Sequence, residues 1–144
     1  MTQVEALKAI AARNDGLLRP QDVVDAARPE DSPLHGAFCW DDTEAARLYR
    51  LEQAQRLIRS FRIVHEDGED KFDTPVFVNL STDRTEGKAN NPYRLVEKVA
   101  KDPDLMAIAE NDAMDQLRGL KSRYGHLKRL GKIWAAIDAI DMAG

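Results

Sequence analysis

The sequence predicts a mainly α-helical protein: a helix-turn-helix-like N-terminal domain with one β-hairpin, arranged like a winged helix, and then a long helical C-terminal segment. Three observations predict this fold. Apolar residues recur at helical spacing in several stretches on both sides of the middle of the chain. Alternating apolar residues flank Asp67-Gly68, which is typical of a hairpin. A seam of apolar residues also runs through the last third of the chain.

The composition is that of a folded protein. The chain has 144 residues, of which 43% are hydrophobic and 32% charged, and this indicates one domain with a core, or a small domain with an oligomerisation segment. No apolar run approaches the roughly 18 residues that span a bilayer, and the N-terminus lacks a basic leader. We therefore expect a cytoplasmic protein with no membrane partner. The single cysteine, Cys39, is expected to be a small buried side chain between Phe38 and Trp40.

Two helices are expected before residue 30. Thr2 can cap the first helix, near 2–13. Pro20 is preset for a first helical turn and begins the second, near 20–28, which Pro29 stops. The connector that follows is long for a helix-turn-helix, in which the link is a turn of about 3–4 residues.

A third helix, near 42–60, carries a local excess of basic charge. Asp41 is expected to cap it, with Glu44 reaching back in a capping box. Its apolar side packs against the core, whereas Arg47 and Arg50 lie nearer its start and are expected to project beyond the core. The arginines of this stretch are Arg47, Arg50, Arg56, Arg59 and Arg62, and the acids are Glu44 and Glu52.

Two interpretations of this third helix stay open. An amphipathic helix with solvated arginines is the simpler one. The other is the second helix of a helix-turn-helix, which has a packed tail and a head presented to a DNA groove.

The hairpin is predicted from two stretches, Phe61 to His65 and Thr74 to Leu80, joined by a somewhat long loop. The loop from Glu66 to Asp73 holds five acids against Lys71. Because phosphate repels acids, a wing at this position is not expected to touch DNA.

The polar stretch at 81–91 contains a glycine and has no periodicity, which predicts a loop or a domain boundary. It divides a helix-turn-helix/winged-helix-like domain, residues 1–80, from a helical oligomerisation segment, residues 92–144. Helices in the second part are expected near 92–101 and 103–141.

Apolar residues at steps of three and four form a seam in the C-terminal segment, as in helices that pack on a partner helix. They predict self-association as a homodimer, through one long helix or an antiparallel helix pair. Glycines inside the segment allow a bend near Gly125 or a close helix crossing. The seam residues are Leu117, Leu120, Tyr124, Leu127, Leu130, Trp134 and Ile137.

The same segment contains a second basic region. Between Gln116 and Lys132 there is no acid, and the region forms either the solvated face of an oligomerisation helix or a surface that contacts phosphate. Its basic residues are Arg118, Lys121, Arg123, Lys128, Arg129 and Lys132.

Motifs of the common enzymes are absent from the sequence. It contains no P-loop, Rossmann glycine pattern, nucleophile elbow or zinc-ligand spacing. His35, His65 and His126 are scattered and lack a partner at ligand spacing. We therefore expect a protein that is not an enzyme and that takes no metal or cofactor.

The stretch from Gly16 to Phe61 resembles a group of small phage and prophage proteins of unassigned function. The likeness rests on a Val-Val-x-x-Ala helix, the sequence Ser-Pro-Leu-His, an aromatic-x-Trp-Asp-Asp turn and an Ala-Ala-x-x-Tyr-Arg helix. Trp40-Asp41-Asp42 followed by Tyr49-Arg50 is also similar to the helix-turn-helix of phage terminase small subunits. The resemblance implies a mobile-element context, the cytoplasm of a host cell, and the handling of DNA.

Together these observations predict a phage or prophage protein that binds double-stranded DNA and acts in regulation or DNA packaging. Two alternatives that need no DNA stay open: a structural or assembly protein, and a host-factor-binding protein that uses the acidic loop from Glu66 to Asp73. The expected DNA-binding residues are Arg47, Arg50, Arg56, Arg59, Arg118, Lys121, Arg123, Lys128 and Arg129.

Overall fold

The computed structural model describes residues 1–41, 43–85 and 87–143, except for the side chains of Asp67 and Asp70. The protein is mainly helical, as the sequence predicts, and it contains small antiparallel sheets. The helices are α1 (Gln3–Arg13), α2 (Pro20–Ala27), α3 (Glu44–Ser60), α4 (Val96–Ala100), α5 (Pro103–Tyr124) and α6 (Gly131–Ala143). The strands are β1 (Leu17–Leu18), β2 (Arg62–Asp67), β3 (Asp70–Pro75), β4 (Phe77–Val78) and β5 (Tyr93–Leu95). Short 3₁₀ turns lie at His35–Ala37, Ser81–Asp83 and Lys128–Leu130.

Helix α1 has defined ends that its sequence specifies. Thr2 and Glu5 form the capping box at its start, which confirms Thr2 as the cap. At its end Asp15 and Gly16 have φ angles of 57° and 82°, and the Gly16 amide donates to the Ala11 carbonyl at 2.8 Å. This Schellman arrangement satisfies a terminal carbonyl and turns the chain into β1.

The main core lies between α1, α2 and α3. Each helix contributes an apolar stripe to one buried cluster, and Phe77 of β4 closes it at the sheet side. Burial of such side chains supplies most of the free energy of folding. Fully buried members are Leu7, Leu18, Val23, Ala27, Ala54 and Ile58.

The connector between α2 and α3 packs on the core around Trp40. The Trp40 ring stacks on His35 with centroids 5.0 Å apart, and its Nε1 donates to the His35 carbonyl at 3.0 Å. His35 Nδ1 in turn donates to the Ala27 carbonyl at 2.9 Å. Cys39 is exposed, so its expected burial was wrong. The reason is the extended backbone at Phe38, which turns neighbouring side chains to opposite sides.

Helix α3 begins at Glu44, and its cap is Thr43 rather than Asp41. The Thr43 hydroxyl accepts from the Ala46 amide at 3.1 Å. Glu44 is therefore the first helical residue, where it cannot reach back as the third residue of a capping box. The carbonyl of Asp41 instead accepts from Arg50.

The predicted hairpin is present as β2 and β3. Its register pairs Asp67 with Asp70, so the connection is a two-residue turn of Gly68 and Glu69, shorter than expected. Gly68 has a φ of 65°, and a glycine at the first turn position is characteristic of type II′ turns.

A second sheet changes the interpretation of the segment after residue 91. Strand β5 lies between β1 and β4, with Leu18 opposite Tyr93 and Phe77 opposite Leu95. The helix expected near 92–101 therefore begins only at Val96. Hydrogen bonding to two distant strands overrides the helical pattern here. The division of the chain at 81–91 stays a prediction, and across it β5 pairs with strands that precede it.

The C-terminal segment is a pair of helices, α5 and α6, and not one helix over 103–141. Asp102 caps α5, as expected, by accepting from the Asp104 and Leu105 amides at 3.0 and 3.2 Å. The chain turns at Gly125, which is the site of the expected bend. Arg118 pairs with Asp141 and Lys121 with Asp138, so the two helices run antiparallel.

Helix α5 is joined to the rest of the protein by Asp112. This carboxylate accepts hydrogen bonds from the Ser81 hydroxyl and, at 2.9 Å, from the Ser81 amide. Desolvation raises the pKa of Asp112, but the Ser81 hydrogen bonds and the Arg84 charge outweigh it and leave the pKa below its ordinary value. In the described part of the chain, no helix combines the length and the apolar character needed to cross a membrane.

Candidate nucleic-acid interface

Arg50 lies inside the protein and does not project from it. Its side chain is only 6% exposed, and its guanidinium donates to the carbonyls of Asp41 at 2.6 Å and Cys39 at 3.3 Å. The guanidinium also lies 5.5 Å from the Trp40 ring. The expected projection of Arg50 was therefore wrong, because the connector folds over this part of α3 and two of its carbonyls accept from Nη1, while the buried Nε has no hydrogen-bond partner within the described residues.

Arg47 and Arg56 are exposed on α3, but each has an acid of the same helix beside it. Arg47 Nε lies 3.7 Å from Glu44, and an Nη of Arg56 lies 3.9 Å from Glu52. Pairs of this kind contribute little to stability, yet they reduce the positive potential that the arginines present. Arg59 is exposed and has no ion pair within the described residues.

Arg118 and Lys121 are also bound within the chain. Arg118 donates to both oxygens of Asp141 and, at 2.8 Å, to Asp115, while Lys121 donates to Asp138. The hydrogen bonds from Arg118 hold the pKa of Asp141 below its ordinary value. These two cations join α6 to α5 through ion pairs, while their side chains stay partly exposed.

The remaining basic residues gather where α5 turns into α6, and we call them the turn cluster. All are exposed, and no described carboxylate forms an ion pair with any of them. No acid occurs in the sequence between Asp115 and Asp138. The turn cluster consists of Arg123, Lys128, Arg129 and Lys132.

The turn that carries this cluster is held by short-range hydrogen bonds. The Gly125 amide donates to the Lys121 carbonyl at 2.7 Å, and the Leu127 amide to the Tyr124 carbonyl at 2.9 Å. Trp134 of α6 closes it, because its Nε1 donates to the Leu127 carbonyl at 3.3 Å. The cations are therefore presented by a folded turn and not by a free end of the chain.

Gly125 is required by the geometry of this turn. A Cβ atom built on it would lie 2.6 Å from the Lys121 carbonyl oxygen, well inside contact distance. The two other glycines of the segment, Gly119 and Gly131, have open space at the same position. Of these three glycines, only Gly125 has a contact that a larger residue would disturb.

The predicted seam is covered in part by the pairing of α5 with α6. Ile137 is buried, whereas Leu120, Tyr124 and Leu127 stay exposed. Further apolar residues of α6, which the predicted seam did not include, are also exposed. The seam residues Leu117, Leu130 and Trp134 are half-buried.

Metal chemistry has no visible basis in the described part of the chain, where no group of three or more His, Cys, Asp or Glu side chains comes together. His65 stacks on Phe72 at 5.0 Å and its Nε2 lies 2.7 Å from the Thr74 hydroxyl. His35 donates to the Ala27 carbonyl at the end of α2, and His126 is exposed.

Comparison of the chain with profiles of protein families, with curated proteins and with solved structures gives no match. The phage context suggested by the stretch from Gly16 to Phe61 stays a prediction. The function must therefore be argued from charge and geometry.

Proposed function

We propose that the protein binds double-stranded DNA through the phosphate backbone, with the turn cluster as its main contact. The observation that carries this proposal is the presence of four exposed cations, without a described ion-pair partner, on one folded turn of a chain whose net charge is -4. The regulatory or packaging role in a phage or prophage belongs to the same proposal and rests on the sequence resemblance.

Charge segregation supports this mode of binding. A chain with excess acid is repelled by a polyanion over most of its surface, so attraction is confined to the places where cations lack local acids. Release of counterions from the phosphates then drives association. Arg123 and Arg129 add the planar donor fork that contacts phosphate with two hydrogen bonds.

Helix α3 takes a smaller part in this proposal than the sequence predicts. In a winged-helix-like arrangement α3 would enter a groove, and Arg47, Arg56 and Arg59 remain exposed for that purpose. The charges of the first two are offset by Glu44 and Glu52. Arg50 is omitted from the proposed interface because it is buried and its guanidinium donates to carbonyls inside the protein.

The proposed partner of the C-terminal helices is a second copy of this chain. The first half of α5 carries acids and no base, and the region from Arg118 to Lys132 carries bases and no acid. Two copies of α5 packed antiparallel would set unlike halves against each other, as a two-fold symmetric interface allows. Such a dimer would carry two turn clusters. The acids of α5, all of which precede Arg118, are Asp104, Glu110, Asp112 and Asp115.

Fluorescence anisotropy with a labelled random-sequence duplex tests the DNA proposal. Four phosphate contacts give an affinity that falls about a hundredfold between about 50 and 200 mM salt. We expect Lys128→Ala with Arg129→Ala to weaken binding about tenfold or more at low salt and to reduce the salt dependence by about two contacts.

Two variants with the same change of charge serve as comparisons. Arg47→Ala with Arg56→Ala tests the α3 surface and is expected to weaken binding less than the turn-cluster variant. Lys98→Ala with Lys101→Ala on α4 controls for net charge. If all three variants lose the same amount of DNA affinity, net charge alone explains the binding. If the unaltered protein shows no salt-sensitive binding, the assembly or host-factor interpretations are favoured.

A further inference from the structure

A cavity separate from the turn cluster lies beside the C-terminal half of α3, and we call it the basic pocket. Its volume is about 340 Å³, which is within the range of small-molecule sites. Helix α3, the segment after β4 and strand β5 each contribute to its wall. The lining residues are Gln55, Arg59, Asn79, Arg84, Lys88, Asn91 and Tyr93.

Hydrogen bonds fix the walls of the basic pocket. Gln55 Nε2 donates to the Lys88 carbonyl at 2.8 Å and so joins α3 to the segment after β4. Asn79 Nδ2 donates to the Pro92 carbonyl at 2.7 Å. Arg84 Nε donates to Asn79 Oδ1 at 2.6 Å, which orients the guanidinium. The pocket is thus formed by contacts between distant parts of the chain.

The charge of the described residues that line the basic pocket is one-sided. Arg59, Arg84 and Lys88 line it, and no described carboxylate does. Arg59 and Lys88 form no ion pair within the described residues. Arg84 is bound to a neutral amide, and the acid that its charge influences, Asp112, is already taken up by Ser81. Like charges that line one cavity repel one another, and a bound anion would relieve this repulsion.

We infer that the basic pocket binds the phosphate group of a small ligand, such as a mononucleotide. The basic pocket offers two guanidinium groups and one ammonium group. These are the side-chain groups with which proteins bind phosphate. The amides of Gln55 and Asn91 and the Tyr93 ring offer neutral surface for the remainder of a phosphate ester. A bound phosphate would connect α3 with the segment after β4. This site is distinct from the proposed DNA contact in the turn cluster.

Thermal unfolding with added ligand tests this inference. Inorganic phosphate and adenosine monophosphate, titrated at constant ionic strength, are expected to raise the unfolding temperature saturably, since ligands that bind only the folded state stabilise it by mass action. Arg59→Gln with Lys88→Gln is expected to abolish the saturable rise. Arg47→Gln with Arg56→Gln has the same charge change outside the pocket and is expected to keep it.

The outcomes separate this inference from the DNA proposal. A saturable rise that is unchanged in the Arg59→Gln, Lys88→Gln variant, or absent from the unaltered protein with both compounds, overturns the pocket assignment. If only a short duplex raises the unfolding temperature saturably, Arg59 and Lys88 belong to the DNA surface. This result also overturns the pocket assignment. Each single variant replaces the double variant if the latter does not fold. The turn-cluster variant Lys128→Ala with Arg129→Ala is expected to retain the full phosphate response.

Discussion

The guanidinium of Arg50 joins α3 to the connector that precedes it. It donates to two connector carbonyls and lies against the Trp40 ring, so a long cationic side chain completes the packing of a segment that has little regular structure. Partly buried carbonyls that lose their donor are costly to the folded state.

Removal of this side chain should therefore destabilise the protein. We expect Arg50→Ala to lower the free energy of unfolding by about 2 kcal/mol, because two carbonyls lose their donor and a cavity forms beside Trp40. Arg47→Ala, on the exposed side of the same helix, should change the free energy of unfolding by less than about 0.5 kcal/mol. Urea denaturation measures both. Similar small changes in the two variants would contradict a structural role for Arg50.

At the scale of elements, the turn between α5 and α6 decides how the basic residues of the C-terminal segment are used. Pairing of the helices binds Arg118 and Lys121 to acids of α6 and leaves the four cations of the turn cluster exposed. The same basic region is thus partly structural and partly available to a ligand.

Glycine at position 125 is what allows this turn. Gly125→Ala should lower the free energy of unfolding by about 1–3 kcal/mol, because the added methyl group would overlap the Lys121 carbonyl oxygen and the turn would have to shift. Gly119→Ala is the control. It has open space and a helical backbone, and it should raise stability by up to about 1 kcal/mol. If thermal unfolding shows stabilisation by both changes, the close contact at Gly125 is not present in solution.

For the whole molecule, the exposed apolar residues of α5 and α6 are the surface that we propose for self-association. Sedimentation velocity at micromolar concentration should show twice the mass of one chain. Ile140, which is 55% exposed on α6, should tolerate a charge in the monomer but not in a dimer interface. Ile140→Glu is therefore expected to give a folded monomer.

A matched change on α3 controls for this experiment. Leu48 is 54% exposed, and Leu48→Glu should leave the dimer intact. If the unaltered protein sediments with the mass of a single chain, the charge complementarity of α5 does not produce a dimer.

Features that depend only on neighbouring residues can be predicted from the sequence of this protein. Thr2, Pro20 and the pair Asp102-Pro103 mark helix starts, since a cap or a fixed φ acts within one turn. Asp67-Gly68 predicts the hairpin because a turn needs only its own residues. The mainly helical character follows from apolar spacing within each segment.

Contacts between distant parts of the chain determine which charges stay unpaired among the described residues and place residues 93–95 in a sheet. The backbone of Arg94 is opposite Leu17, far away in sequence, so a helical pattern became a strand. Arg50 and the turn-cluster arginines look alike in sequence, but the connector covers the first and no described acid pairs with the others. Burial and pairing of a charge depend on groups that folding brings from elsewhere in the chain. The local spacing of residues does not predict these contacts.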